Sequence, residues 1–417
     1  MKILSSNFFL LSVTLVIPLL ITGPFFPDLI ISLSSIIFLF FVYKHKKFYY
    51  FNNRPIIIFF IFCIYCILIS IFVAENISLS LQSSLFYFRF GIFACVIWYL
   101  IERDQKILNY FYYVLIVSFF ILVFDGYMQY FLGYNITGNP KSIRISSLFG
   151  DEWILGSYVS RFYPLAFALF LLREIKKFEI FFITLLFILV GGLIFVSGER
   201  TAFFFYILSN LFILIFIKKL LKIRLLIFFG SILLVASLTL TNDRLQYRVF
   251  GDPIKSMGIK KEIEKKYIFT EGHESLILTA LNMFKDKPVF GHGPKMFRVI
   301  CKNQKYATGV SPCMTHPHNF YIQLLAEIGF VGFMFLFSVF VYVIYCSIRQ
   351  LKTIIFKEKR YLNDYQVCLL ACILITVWPL SPNGNFFNNW LSICYSLPFG
   401  FYLHSLYGKN KEEIDNN

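Results

Sequence analysis

The sequence predicts an all-α integral membrane protein of about twelve transmembrane helices, whose apolar runs approach or span a hydrocarbon layer ~30 Å thick. Two observations carry that reading. Of the 417 residues, 58% are hydrophobic and 20% aromatic while 15% are charged, and the apolar residues fall in runs too long for the helices of a globular core. Basic residues gather in alternate connections between those runs, the pattern that sets orientation across a bilayer. A free backbone N–H or C=O has no partner in lipid, so the runs must be helical.

In chain order the predicted spans are 7–24, 26–43, 55–74, 85–101, 107–132, 155–172, 178–197, 201–217, 225–241, 317–346, 363–381 and 389–407. The first reads as a span rather than a signal peptide, because Pro18 and Pro24 stand where small residues would mark cleavage. Lys44, Lys46, Lys47 and Arg54 form one basic connection, and Arg173, Lys176 and Lys177 a second. Lys218, Lys219, Lys222 and Arg224 form a third, and Arg349, Lys352, Lys357, Lys359 and Arg360 a fourth. These connections belong inside, which puts both termini in the cytoplasm. The net charge of +16 is then a topology signal, and no nucleic-acid partner follows from it. The whole chain, 1–417, reads as one polytopic membrane domain, with 409–417 a short cytoplasmic tail.

Two outer connections, 133–154 and 242–316, hold nearly all the remaining chain. Loops of such length usually carry function or are disordered. The larger one has 13 Lys and Arg against 7 Asp and Glu, read either as simple tolerance of charge in a long loop or as a field for an anionic ligand. Apolar residues at helical spacing predict a helix over Glu274–Asp286, stopped by Pro288, Gly291 and Gly293, and a short charged helix is expected around Lys260–Tyr267. Seven of the nine cysteines lie inside spans, where Cys63 and Cys66 act as small hydrophobes despite their C-x-x-C spacing. Cys301 and Cys313 share the outer loop and form a possible disulfide pair.

Four constellations carry chemistry. In Thr315-His316-Pro317-His318-Asn319, two histidines precede a span in which Asn319, Gln323 and Glu327 recur at helical spacing. Such a polar stripe faces a bundle interior or a wet cavity. The histidines suit a general base; a helix cap is the structural alternative, and metal binding lacks supporting ligands. In Ser197-Gly198-Glu199-Arg200, Arg200 at the membrane boundary suits bidentate contact with phosphate, or else pairs with Glu199. Arg161 lies within the outer leaflet, with Asp151 or Glu152 as possible partners, and Asp125 with Gln129 is a weaker polar pair. Arg244 and Arg248, four apart where the large loop begins, would clamp a diphosphate.

Together these segments resemble the O-antigen ligase and polymerase family of bacterial envelope glycosyltransferases. The resemblance rests on the His-Pro-His-Asn-x-Tyr run with Leu324-Leu325-Ala326-Glu327-Ile328-Gly329-Phe330-Val331-Gly332. It is supported by Ser197–Ala202, by Phe284–Pro294 and by Asp125–Phe131. It implies a C-type glycosyltransferase in the bacterial inner membrane with a large helical periplasmic loop. The reaction would be metal-independent, cofactor-free and inverting at the periplasmic face. A polyprenyl-diphosphate-linked glycan would be the donor and a hydroxyl of lipid A core the acceptor; in the polymerase alternative the acceptor is a second glycan. By resemblance His318 activates the acceptor, Arg200 holds the diphosphate, and Arg244 or Arg248, with Arg161 as a further candidate, supplies the second arginine. His316, Asn319, Gln323 and Glu327 form a secondary site. Glu199 stands where many members have a small residue, and so bears on the availability of Arg200. A transporter or flippase is a different class of reading, against which stands the lack of a visible internal repeat.

Overall fold

The computed structural model describes residues 7–174, 176–247, 251, 254–255 and 269–409. The principal helices, numbered here in chain order, are α1 (Asn7–Leu19), α2 (Phe25–His45), α3 (Arg54–Phe72), α4 (Ile77–Arg103, with a turn at 85–87), α5 (Lys106–Leu132), α6 (Leu155–Leu171) and α7 (Lys177–Val196). They continue with α8 (Arg200–Phe216), α9 (Leu221–Leu240), α10 (Glu271–Asp286), α11 (Phe320–Ile355), α12 (Asp364–Thr376) and α13 (Asn389–Tyr407). Among the described residues there is no strand, only a single bridge between Tyr134 and Pro140. Seven helices are long and apolar enough to cross a membrane, and α1, α6, α8 and α12 are shorter apolar helices.

Helix α6 is the axis of the bundle. Nearly all of its residues are buried, and it packs against α5, α7, α8, α12 and α13. Around it, α4 packs on α2 and α13, and α9 lies on α7. The outer faces of these helices expose Phe40, Ile61, Phe120, Phe181 and Leu233. An apolar belt of this kind is what a lipid-facing surface requires, and the chain is a multi-pass membrane protein.

Every predicted span overlaps a helix, but several boundaries differ. Helix α4 begins at Ile77 rather than 85, α10 begins a turn earlier than Glu274, and α11 runs from Phe320 to Ile355. Helix α11 is also broken at Ile328 and Gly329, where Gly329 has φ +67°. Into that break the segment 288–293 docks: the N–H of Phe330 donates to Pro288 O, that of His292 to Ala326 O and that of Gly293 to Glu327 O. A Cβ at Gly329 would overlap the Val289 carbonyl, so only glycine permits this contact. Helix α12 stops at Thr376, not 381, because Pro379 and Pro382 cannot extend it. The charged helix expected at Lys260–Tyr267 and the tail from 410 onward lie outside the described residues.

Residues 377–388 form a further irregular connection, and the polar stripe of α11 satisfies it. Tyr321 Oη donates to Val377 O, and Asn319 Nδ2 to Pro379 O at 2.8 Å. Gln323 Nε2 donates to Asn385 Oδ1 at 3.0 Å and to Glu327 Oε2 at 2.9 Å, while Gln323 Oε1 accepts from the N–H of Phe386 at 2.9 Å. Glu327 Oε1 accepts from the N–H of Phe297 at 3.2 Å, which secures the chain that follows the docked segment 288–293. Asn319, at the helix N-cap, also accepts from the N–H of Ile322. Non-helical backbone survives among membrane helices only where it is satisfied in this way. Asp125 and Gln129 of α5 serve the other outer connection similarly, accepting from Ile136, Ser146 and Ser147.

Gln323→Leu should therefore destabilise the protein, because it strands the Phe386 N–H and takes one donor each from Asn385 Oδ1 and Glu327 Oε2 in the interior. Each buried group left unpaired costs about 1–3 kcal/mol. Thermal unfolding in detergent would show a lowered midpoint; an unchanged midpoint would remove this role from the stripe.

Candidate functional site

The first wall of the site is built where α6 starts. Glu199, the residue before α8, takes the N–H of Gly156 at 2.6 Å, the N–H of Ser157 at 3.0 Å and the Ser157 hydroxyl at 2.7 Å. A helix start leaves unpaired N–H groups and favours negative charge, so the carboxylate caps a neighbouring helix. Both its oxygens are thus engaged on α6. Gly156 is needed here: a Cβ would meet Ser197 Oγ at 2.5 Å and Glu199 Oε1 at 3.0 Å.

Arg161 follows Ser157 by one turn of α6 and is buried, 4% exposed. Its guanidinium lies 5.0 Å from the Phe205 ring and 5.4 Å from that of Tyr395. Nη2 donates to Asn383 Oδ1 at 3.4 Å, while Nε and Nη1 are buried without a hydrogen-bond partner. The partner of Arg161 is therefore an amide from the 377–388 connection and not Asp151 or Glu152.

The N–H of Asn383 donates to His318 O at 2.8 Å, which joins this wall to the histidines. His318, at φ +56°, precedes the Asn319 N-cap and lies against two other rings, tilted to His316 and edge-on to His273. Ring centroids are 4.1 Å apart for His316 and His318, and 5.3 Å for His273 of α10 and His318. Hydroxyls of Thr315 and Thr270 each lie 2.9 Å from Nδ1 of His316 and His273. His316 Nε2 is buried and unpartnered. Burial holds all three imidazoles below their ordinary value, and His316 is pushed down to about 3, with His318 and Arg298 beside it adding to the effect. His318 is lowered further by His273, and His273 by Arg200. All three rings are neutral at neutral pH, so each keeps an unprotonated ring nitrogen, while burial makes proton uptake harder.

This has a measurable consequence for stability. The unfolded chain takes up protons at these positions as pH falls through about 6.5, while the folded chain resists. Stability should therefore drop on acidification from pH 7 to 5, and His316→Gln should flatten the decline. A melting midpoint in detergent that ignores pH over this window would contradict the assignment.

A last wall comes from the segment docked on α11, which carries Lys295 and Arg298. Cys301 and Cys313 are joined as a disulfide with Cα atoms 5.1 Å apart. The bond closes the stretch that leads from Arg298 round to His316.

These walls enclose a cavity of about 1560 Å³ lined by Arg144, Arg161, Arg200, Lys295 and Arg298 against the acids Glu152 and Glu199. His273, His316, His318 and Asn383 line it as well. Asn319, Gln323 and Glu327 do not line it and act behind its walls. Tyr247 reaches the cavity, but the Arg244 side chain and Arg248 lie outside the described residues. Among the described residues no group of three or more His, Cys, Asp or Glu is placed to hold a metal ion. His273, Lys295, Arg298, Arg144 and Asn383 are members that the sequence reading did not single out. The signal for Asn383 was present in the Pro379, Pro382, Asn383, Gly384, Asn385 cluster, which marks a loop. For Lys295 and Arg298 there was only the positive sum of the large loop.

The arrangement defines a polytopic membrane protein with a cationic, histidine-bearing cavity suited to an anionic ligand. Residues 185–337 match the family model described as O-antigen ligase. That stretch, little more than a third of the chain, is what is similar to the O-antigen ligase family. No curated protein matches the chain. Arg161 and Asn383 fall outside the matched residues and yet line the same cavity as Arg200 and His318.

Proposed function

We propose that this protein is a ligase that moves a glycan from a polyprenyl diphosphate to a hydroxyl of lipid A core. The observation that carries this reading is the pair of buried, unpartnered Arg161 nitrogens sharing a cavity with Arg200 and neutral histidines. Unpaired guanidinium donors in an interior are costly unless an anion completes them. A diphosphate leaving group needs preorganised cations as its charge grows, and donors fixed in advance stabilise that charge most in the transition state.

In this reading the acceptor oxygen attacks the anomeric carbon from the face opposite the diphosphate, giving inversion. The new C–O bond forms as the bond to the diphosphate oxygen breaks. The electron pair leaves with the diphosphate, and the hydroxyl proton passes to the His318 imidazole. Arg161 and Arg200 hold the leaving group, and Arg244 or Arg248 would join them from the chain beside Tyr247. The step uses no metal or cofactor. The protein would sit in the bacterial inner membrane as about twelve spans, with both termini in the cytoplasm and the cavity on the periplasmic face.

The test is transfer in vitro with purified protein, a lipid-diphosphate-linked oligosaccharide, lipid A core and a chelator. Glycan on the core supports the ligase. Longer lipid-linked chains would make it a polymerase, and transfer to neither would overturn the assignment.

A further inference from the structure

Asn383 touches both halves of the chemistry at once. Its backbone N–H donates to His318 O at 2.8 Å, and its side-chain Oδ1 accepts from Arg161 Nη2 at 3.4 Å. Its backbone also acts on the His316 and His318 rings, in the direction that favours the protonated imidazole. The base for the acceptor and a cation for the leaving group are thus bridged by a single residue of the 377–388 connection.

That residue is held from several sides. Pro379 and Pro382 keep this stretch out of α12, and the N-cap of α11 ties down its carbonyls: Asn319 Nδ2 donates to Pro379 O at 2.8 Å and to Ser381 O at 3.4 Å. Asn383 Nδ2 turns back onto Ser381, 3.4 Å from its carbonyl oxygen and 3.3 Å from its hydroxyl, which leaves the amide oxygen for Arg161. Just beyond, Asn385 Oδ1 accepts from Gln323 at 3.0 Å and from the N–H of Phe387 at 2.9 Å. A group supported in this way keeps its geometry more closely than a bare loop would allow.

The chemical type of the side chain matters as much as its placement. A carboxylate opposite Arg161 would pair with the guanidinium in two bonds and cancel its charge. A neutral amide takes one N–H, leaves Nε and Nη1 without a partner and leaves the positive charge in force. A cation that is to meet a diphosphate has to be oriented without being neutralised. We infer that Asn383 is a positioning residue, which ties Arg161 to the backbone of His318 and so holds the leaving-group cation in register with the base. This rests on the transfer reaction proposed above and on the roles given there to Arg161 and His318. Asn383 acts through Arg161.

The experiment measures glycan transfer and the binding of inorganic pyrophosphate by the full-length protein in lipid nanodiscs. It compares wild type with Asn383→Ala, Asn383→Asp, Arg161→Met and the Arg161→Met, Asn383→Ala double variant. Asn383→Ala should lower the transfer rate at saturating donor about tenfold, the scale of one lost hydrogen bond to a charged group, with donor KM within about twofold. In the Arg161→Met background the same change should cost less than about twofold, because the group it acts through is gone. A residue that only supports the fold would cost as much in both backgrounds, and that result would overturn the inference. Asn383→Asp, nearly isosteric, should weaken pyrophosphate at least about tenfold while the melting midpoint holds or rises, since a new ion pair neutralises Arg161. Pyrophosphate bound by that variant as tightly as by wild type would also overturn the inference, and this arm decides alone if Asn383→Ala does not fold. Pyrophosphate binding that needs Arg161 and falls with Asn383→Asp, in a protein that transfers no glycan, would sink the ligase reading and keep the role of Asn383. Transfer that ignores both substitutions at 383 would do the reverse.

Discussion

His318→Asn is expected to lower glycan transfer by about 10²–10⁴-fold, the usual contribution of a positioned general base. Asparagine is chosen because His318 sits at φ +56°, a conformation that asparagine tolerates better than most residues. The backbone that presents Asn319 as a helix cap should then survive, and any loss reports the imidazole. Donor KM should be little altered, because Arg161 and Arg200, the residues proposed to hold the diphosphate, stay in place. Single-turnover transfer with radiolabelled donor measures the effect. Retention of more than about a tenth of the wild-type rate would remove His318 as the base and turn attention to His316, whose Nε2 is without a partner.

The second large effect concerns Arg161, where activity and stability should move in different directions. Arg161→Met is expected to reduce transfer at least about 10²-fold, the scale seen when one preorganised donor is lost from an active site. The same change removes a buried charge whose Nε and Nη1 lack partners, and each such unpaired donor costs about 1–3 kcal/mol in the resting protein. Against that stand the ring contacts to Phe205 and Tyr395 and the bond to Asn383. The melting midpoint in detergent should stay level or rise while transfer collapses. A variant that unfolds yet transfers normally per folded molecule would make Arg161 a structural residue only.

Much of the bundle was readable in the sequence, because apolar runs bounded by basic clusters admit few other structures. The break in α11 was not. Gly329 and Gly332 looked like small residues within one span, and only the docking of 288–293 explains the left-handed Gly329. The 377–388 connection was missed for a related reason: Val377, Trp378 and Leu380 extend the apolar run past its true end at Thr376. Arg161 and Arg200 stood out because charge near lipid is expensive. Lys295, Arg298 and His273 did not, since a charge in a long loop is ordinary until tertiary contact brings it to a wall. Asn319, Gln323 and Glu327 were legible as an inward stripe, but their work in holding irregular backbone depends on partners about 60 residues away in one case and about 30 in the other.

The seam between 288–297 and the broken helix bears on how the molecule can be divided. Leu276, Ala280, Met283, Phe297, Cys301 and Tyr306 form a small core that is completed by Ala326, with Ile322 packed against it. Two members of that core's surroundings thus belong to a membrane helix. Among the described residues of 242–316, this core does not close without α11. Produced alone as a soluble fragment, that stretch would leave the apolar cluster open to water and the Phe297 N–H without its carboxylate. The outer loop and the upper turns of α11 must mature as one unit, which ties assembly of the extramembrane part to prior insertion of the helix that follows it.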